Sequence, residues 1–285
     1  MIALGQLWRI ARLTYLEAVR QRFFIFLLVL SVAMVGSGSF FRQFDFGPSE
    51  LKFVADFGLG GIFFFGSILS IAATAQLFFA EIENRTALTL LAKPVRRSTF
   101  IAGKLLGVGL LLLAFVALLT LLLGIYLQWR QGQIEAAYAL RRLANPDLDP
   151  FPDSQRVQLY GLAVNGVLQW LKFMVLSAMT ILFASYSNTN LFTVIMAFFT
   201  LAICQIQYIA QDYWNKFESP ELRGLARAVS WIFPNFQLFN IGQFLIFQSK
   251  TPVPGMAVAS AAGYGIIYVF VFLALAVFSF RAREI

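Results

Sequence analysis

Carboxylates, amides and one isolated lysine are the groups able to do chemistry in this chain, because it has no histidine and a single cysteine, Cys204. Without imidazole there is no His-ligated zinc or haem, no Ser-His-Asp triad and no histidine acid–base catalysis. A lone thiol closes no internal bridge, so the redox compartment is not written in the cysteines. A phosphate-cradling loop needs G-x-x-x-x-G-K-[ST]. At the nearest match, Gly103-Lys104, Ser98 stands at the first glycine position and Leu105 where Ser or Thr is required. If ATP is used, a second protein binds it. Asp147, Asp149 and Asp153 in NPDLDPFPDS have a spacing that invites calcium. The glycine and the distal bidentate glutamate of a calcium loop are missing, so the segment reads as a solvated loop.

Two groups remain. The first is residues 81–104, EIENRTALTLLAKPVRRSTFIAGK. Glu81 and Glu83 open it, and Arg85 and Thr86 follow. Residues 86–91 read as a short helix with apolar Ala87, Leu88, Leu90 and Leu91. Pro94 turns Lys93 away from helix and ends that run. Arg96 and Arg97 come next, and Ser98 or Thr99 caps the following helix. A plain connector needs only a few polar residues. This one reads as a rigid amphipathic lever with acids first and bases later, able to dock in a groove on a cytoplasmic partner. The second group is Lys172 with Gln169 and Asn165, which lie one and two turns before it. A lysine at mid-bilayer costs about 2.5–3.5 kcal/mol on insertion scales. Snorkelling of its long stem to the interface is the plain expectation, and lining of a polar path or subunit seam is the functional one. For Gln205, Gln207 and Gln211, helix-to-helix hydrogen bonding accounts for them as well as substrate contact does.

These groups sit in a chain that is 59% hydrophobic and 13% charged, with mean hydropathy +0.75. Average soluble domains are about 45–50% apolar and about 25% charged, so one soluble core cannot absorb the excess. Charge-free stretches long enough to cross about 30 Å of hydrocarbon place spans at residues 23–41, 57–80, 105–129, 161–186, 191–211 and 255–280, with the polar run SYSNTN dividing the fourth from the fifth. They are uniformly apolar rather than alternating, hence helices. The fold class is all-α: a single polytopic membrane domain over 1–285 with six transmembrane helices. Residues 1–22 form an interfacial helix, with Leu4, Leu7, Trp8, Ala11, Tyr15, Ala18 and Val19 on one arc and cations facing lipid phosphates on the other. The first span is a retained anchor rather than a cleaved signal. Residues 130–158 and 212–254 are outer loops. Within the latter, residues 231–247 are apolar but broken by Pro234, Asn235, Asn240 and Gln243, and read as an interfacial or re-entrant element before the last span. Gly103 and Gly107, one turn apart, read as a close helix-packing site.

Lysines and arginines orient the chain. With the N-terminus inside, the inner segments carry a marked cationic excess, while cations and acids balance in the outer loops. Both termini and residues 81–104 are therefore expected in the cytoplasm of a cell (inner) membrane. The net charge of +8 is then membrane orientation and not a nucleic-acid footprint, which would interleave basic and aromatic residues.

Residues 81–104 resemble the cytoplasmic coupling segment of ABC-2-type permeases, the membrane subunits of one class of ATP-binding-cassette transporters. Glu81, Glu83, Thr86, Leu90, Leu91, Lys93, Pro94, Val95, Arg97, Ser98, Gly103 and Lys104 stand in the places of that pattern. The motif-level likeness covers this segment, and the architectural likeness covers the whole chain. The resemblance implies a non-catalytic subunit of an exporter, with ATP and magnesium held by a partner ABC ATPase, and a second permease copy or paralogue completing a dimer. It also implies that Glu81, Glu83, Arg85, Thr86, Leu88, Leu91, Lys93, Pro94, Arg96 and Arg97 couple to the ATPase.

Other classes fit less well. A lipid-modifying enzyme needs histidines or interfacial carboxylate clusters, and near the inner face the acids are essentially Glu81 and Glu83. An ion-coupled transporter needs carboxylates within its spans, and the six assigned stretches have none. A membrane anchor or signalling partner that recruits an ATPase without moving a substrate is the alternative that sequence leaves standing.

Overall fold

The computed structural model describes residues 2–38, 50–83, 97–145, 151–152, 156–214, 221, 224, 230–247 and 255–282. Its elements are α1 (Ile2–Arg20), α2 (Arg22–Ser37), α3 (Glu50–Glu83), α4 (Arg97–Ala144), α5 (Leu159–Tyr186), α6 (Asn190–Trp214), a 3-10 turn (Phe236–Phe239), α7 (Gly242–Ile246) and α8 (Gly255–Ala282). Five helices, α3, α4, α5, α6 and α8, are long and apolar enough to cross a membrane. The pair α1 and α2, bent by 67° at Gln21, makes the sixth when counted as one unit. The chain is an all-α polytopic membrane protein. The bend fits an interfacial helix feeding a span.

Helix bounds follow backbone breakers rather than charges. The second span was expected from residue 57, but α3 starts at Glu50. The third was expected over residues 105–129, but α4 runs from Arg97 to Ala144. Its 48 residues extend about 72 Å at 1.5 Å per residue, far more than one crossing requires. Residues 130–144 are therefore helix and not the start of a loop. They are rich in Ala, Leu, Glu, Gln and Arg, all strong helix formers, and the first breaker is Asn145-Pro146. The Glu50–Arg130 ion pair, with Nε to Oε1 at 2.6 Å and Nη2 to Oε2 at 2.9 Å, ties the start of α3 to this overhang.

The glycine pair Gly103 and Gly107 packs as expected, and its partner is α1. A Cβ on Gly103 would meet Ile10 Cγ2 at 2.7 Å, and one on Gly107 would meet Thr14 Cβ at 2.5 Å and the Ala11 carbonyl at 2.7 Å. The buried stripe of α1 is accordingly Ile10, Ala11, Thr14 and Ala18. Leu4 and Trp8, assigned to the same arc as Ala11, are exposed beside it.

Helix α5 is the most enclosed of the spanning helices. Gly66 of α3 admits the Phe173 ring, Ser70 Oγ lies 2.8 Å from Ser177 Oγ, and Trp170 Nε1 donates to the Gly109 carbonyl at 2.9 Å. The polar run predicted to divide two spans does so. The Ser187 N–H closes α5 on the Phe183 carbonyl, and Thr189 Oγ1 accepts the Phe192 N–H as α6 begins.

Residues 231–247 form a hairpin set into the protein, with Phe236, Phe239 and Ile246 fully buried. Asn235 Oδ1 caps the 3-10 turn by accepting the Gln237 N–H at 3.0 Å. The Asn235 N–H donates to Tyr264 Oη and Tyr268 Oη donates to the Trp231 carbonyl, both at 2.8 Å, which fastens the hairpin to α8. On the other side the Gln158 N–H donates to the Ile246 carbonyl at 2.7 Å, and Val157 bridges Phe247 in antiparallel fashion. Gln131 Oε1 accepts the Val157 N–H at 2.9 Å, so α4 holds the same strap. Gln207 Nε2 donates to the Ser230 carbonyl at 2.8 Å.

Candidate functional site

Between α3, α5 and the hairpin lies a cavity of about 340 Å³ lined by Asp56, Leu59, Gly60, Phe63, Asn165, Gln169, Gln237, Asn240 and Gly242. Helical spacing builds two of its walls. On α5, Asn165 and Gln169 are one turn apart, and on α3, Asp56, Gly60 and Phe63 fall at i, i+4 and i+7, one face of a helix. The third wall is hairpin backbone, admitted because Gly242 has no side chain: a Cβ there would meet Asn165 Oδ1 at 2.5 Å.

Lys172 sits behind this cavity. It is 1% exposed, so the snorkelling expected of it is not what the structure has. Its ammonium lies 4.1 Å from the Phe63 ring centroid and 5.6 Å from that of Phe236, and it donates to Asn240 Oδ1 at 3.1 Å. Two aromatic faces and an amide carbonyl brought in by the hairpin replace solvent around the charge. The hairpin lies too far along the sequence for helical periodicity to place it there. Asn165, Gln169 and Lys172 are thus brought together as the sequence grouped them, and the structure adds Asp56, Phe63, Gln237 and Asn240. Asp56 went unseen because the span was cut at its last charge, although its register with Gly60 and Phe63 was legible.

Lys172→Met is expected to keep normal membrane insertion and a melting temperature in detergent at or above wild type. It replaces a buried ammonium that pairs with no carboxylate among the described residues. Transport is expected to fall several-fold because Asn240 loses the donor that orients it. Normal transport beside normal insertion would reduce Lys172 to a packing element.

At the other end of the bundle, Glu81 and Glu83 lie in the last turn of α3 and Arg97 opens α4. Arg85, Thr86, Leu88, Leu91, Lys93, Pro94 and Arg96 lie outside the described residues, as does the short helix expected over 86–91. The far end of the segment is braced. Arg97 Nη1 donates to the Phe280 carbonyl at 3.1 Å near the C-terminus of α8, where a cation meets the helix dipole. Its guanidinium also lies 6.0 Å from the Phe280 ring, which stacks on Phe100. Lys104, 2% exposed, donates from Nζ to the Leu77 carbonyl of α3 at 2.9 Å. The Arg97 contacts with Phe280 tie α4 to α8.

No curated protein matches the chain. Residues 40–278 match the family described as ABC-2 family transporter protein, a stretch that runs from before α3 almost to the end of α8. Matched over most of its length, and with the apolar helical bundle such a transporter requires, the chain belongs to the ABC-2 transporter family.

Proposed function

We propose that this permease subunit is part of an ATP-driven exporter and is worked by a separate ABC ATPase that docks on residues 81–104. Family membership supplies the permease, and the observation that carries the coupling is the bracing of the far end of this segment on α8 and α3. Arg97 links its far end to α8, and Lys104 links α4 to α3. A push on the segment would therefore be passed to three spans at once. ATP and magnesium belong to the partner, since the chain has no phosphate-binding loop. A second permease copy or paralogue completes the transporter, with symmetric pairing as the default.

Affinity purification in mild detergent tests this directly. An ATPase with a phosphate-binding loop is expected to accompany the chain, and its repeated absence would overturn the reading. Both termini and residues 81–104 face the cytoplasm in this proposal. Single cysteines in a Cys204→Ser background are expected to react with an impermeant reagent from outside at positions 45, 149 and 218 but not at 90. Outside labelling at position 90 would invert the topology.

A further inference from the structure

We infer that the cavity between α3, α5 and the 236–246 hairpin is a binding site for a neutral, hydroxyl-rich group, carried by a free polyol or by a glycolipid headgroup. The back wall is polar and unsatisfied. Asn165 is 1% exposed and Gln169 is 5% exposed, and Asn165 Oδ1, Asn165 Nδ2 and Gln169 Oε1 have no hydrogen-bond partner among the described residues. Buried polar atoms are nearly always paired, so three such atoms around one cavity mark a place built for a partner. The hairpin wall is polarised from behind. Lys172 can only donate, which fixes Asn240 Oδ1 toward it. Asn240 Nδ2 then donates to Gln237 Oε1 at 2.8 Å, leaving Gln237 to present its N–H donors. The Gln237 donors on the hairpin thus share the cavity with two acceptors and one donor on α5, and Asp56 lines it from α3.

A hydroxyl both donates and accepts at one atom, and neighbouring hydroxyls match a carboxamide or carboxylate two at a time. The charge argues the same way. The unpartnered wall atoms belong to uncharged amides, and Lys172 does not line the cavity, so neither an anion nor a cation is favoured. At about 340 Å³ the cavity is at the small end for ligand pockets, the size of a single ring or headgroup. The site goes beyond the permease reading, because it needs no ATPase to bind.

The test uses the purified chain in phosphatidylcholine nanodiscs without ATPase. One arm adds monogalactosyl diacylglycerol and reads its retention by native mass spectrometry; the other measures binding of free radiolabelled galactose by equilibrium dialysis. Either arm can succeed, and which one does identifies the source. In that arm wild type is expected to bind at least tenfold better than Asn165→Leu/Gln169→Leu, with phosphatidylglycerol not retained at the site. The double variant is expected to melt no lower than wild type, because it removes unpaired buried amides. Should it fail to fold, Gly242→Ala, whose methyl displaces Asn165 Oδ1, takes its place and is expected to show the same loss. Equal binding by wild type and variant, preference for phosphatidylglycerol, or no binding in either arm, which would mean a cavity for solvent only, each overturns the inference. None of these results touches ATPase docking.

Discussion

Deleting residues 86–91 is expected to abolish co-purification of the ATPase while leaving the bundle folded and inserted. The bundle should survive because its described contacts begin outside this stretch: Lys104 on Leu77, Arg97 on Phe280, and α1 on Gly103 and Gly107. Binding should not survive, because the stretch carries the apolar side chains Leu88 and Leu91 proposed to enter a groove on the ATPase. Truncating a buried apolar anchor at such a contact costs at least about 2 kcal/mol, or roughly thirtyfold in affinity. Leu91→Ala alone is therefore expected to lower recovery of the partner clearly. Replacing Glu81 and Glu83 by Gln should instead leave the complex assembled, since rim charges mostly tune association, and reduce ATP hydrolysis coupled to substrate. Co-purification yield and ATPase rate in reconstituted membranes, wild type beside each variant, separate the two effects. An ATPase that binds equally well after the deletion docks elsewhere, and the coupling proposal falls with it.

The spans were legible because hydrocarbon imposes a simple rule, about 20 apolar residues per crossing, and residues 161–186 and 255–280 match α5 and α8 nearly end to end. The same rule misjudged α3 and α4. A charge does not end a helix, and the backbone of residues 130–144 has no reason to stop before Asn145-Pro146. Asp56 was lost to the cavity for that reason. Lys172 was misread for another. Sequence shows the cost of a charge in the membrane but not the long-range partners that meet it, and here Phe63, Phe236 and Asn240 arrive from two other elements. The hairpin was legible as an apolar segment too broken to span, yet nothing local announced that Val157 would bridge Phe247 or that Gly161 would face its backbone. Such pairings depend on how helices far apart in sequence are arranged, and periodicity carries no information on that.

That last pairing carries the other large expected effect. Gly161→Ala should detach the hairpin from α5. A Cβ on Gly161 falls on the Leu245 carbonyl and lies 3.1 Å from the Ile246 nitrogen. A clashing side chain can turn aside, but here the obstacle is backbone, held by the Gln158-to-Ile246 hydrogen bond and the Val157–Phe247 bridge. The elements must part, and overpacking of this kind costs about 1–3 kcal/mol or more. Parting them also withdraws Asn240 from Lys172, leaving a buried ammonium without its hydrogen-bond acceptor, so the loss spreads to the cavity. Gly132→Ala is the matched control. Its Cβ would meet nothing within 4 Å, and alanine in a helix interior is worth about 0.5–1 kcal/mol over glycine, so it should melt at or slightly above wild type. Melting temperature in detergent and thiol labelling of a cysteine placed at the buried Phe239 read the comparison. Gly161→Ala is expected to melt several degrees lower and expose position 239 to reagent, with transport falling in parallel. If it melts with the wild type and position 239 stays protected, α5 and the hairpin do not meet at Gly161, and the wall that presents Gln237 and Asn240 to the cavity is held by its other contacts, those with α8 among them.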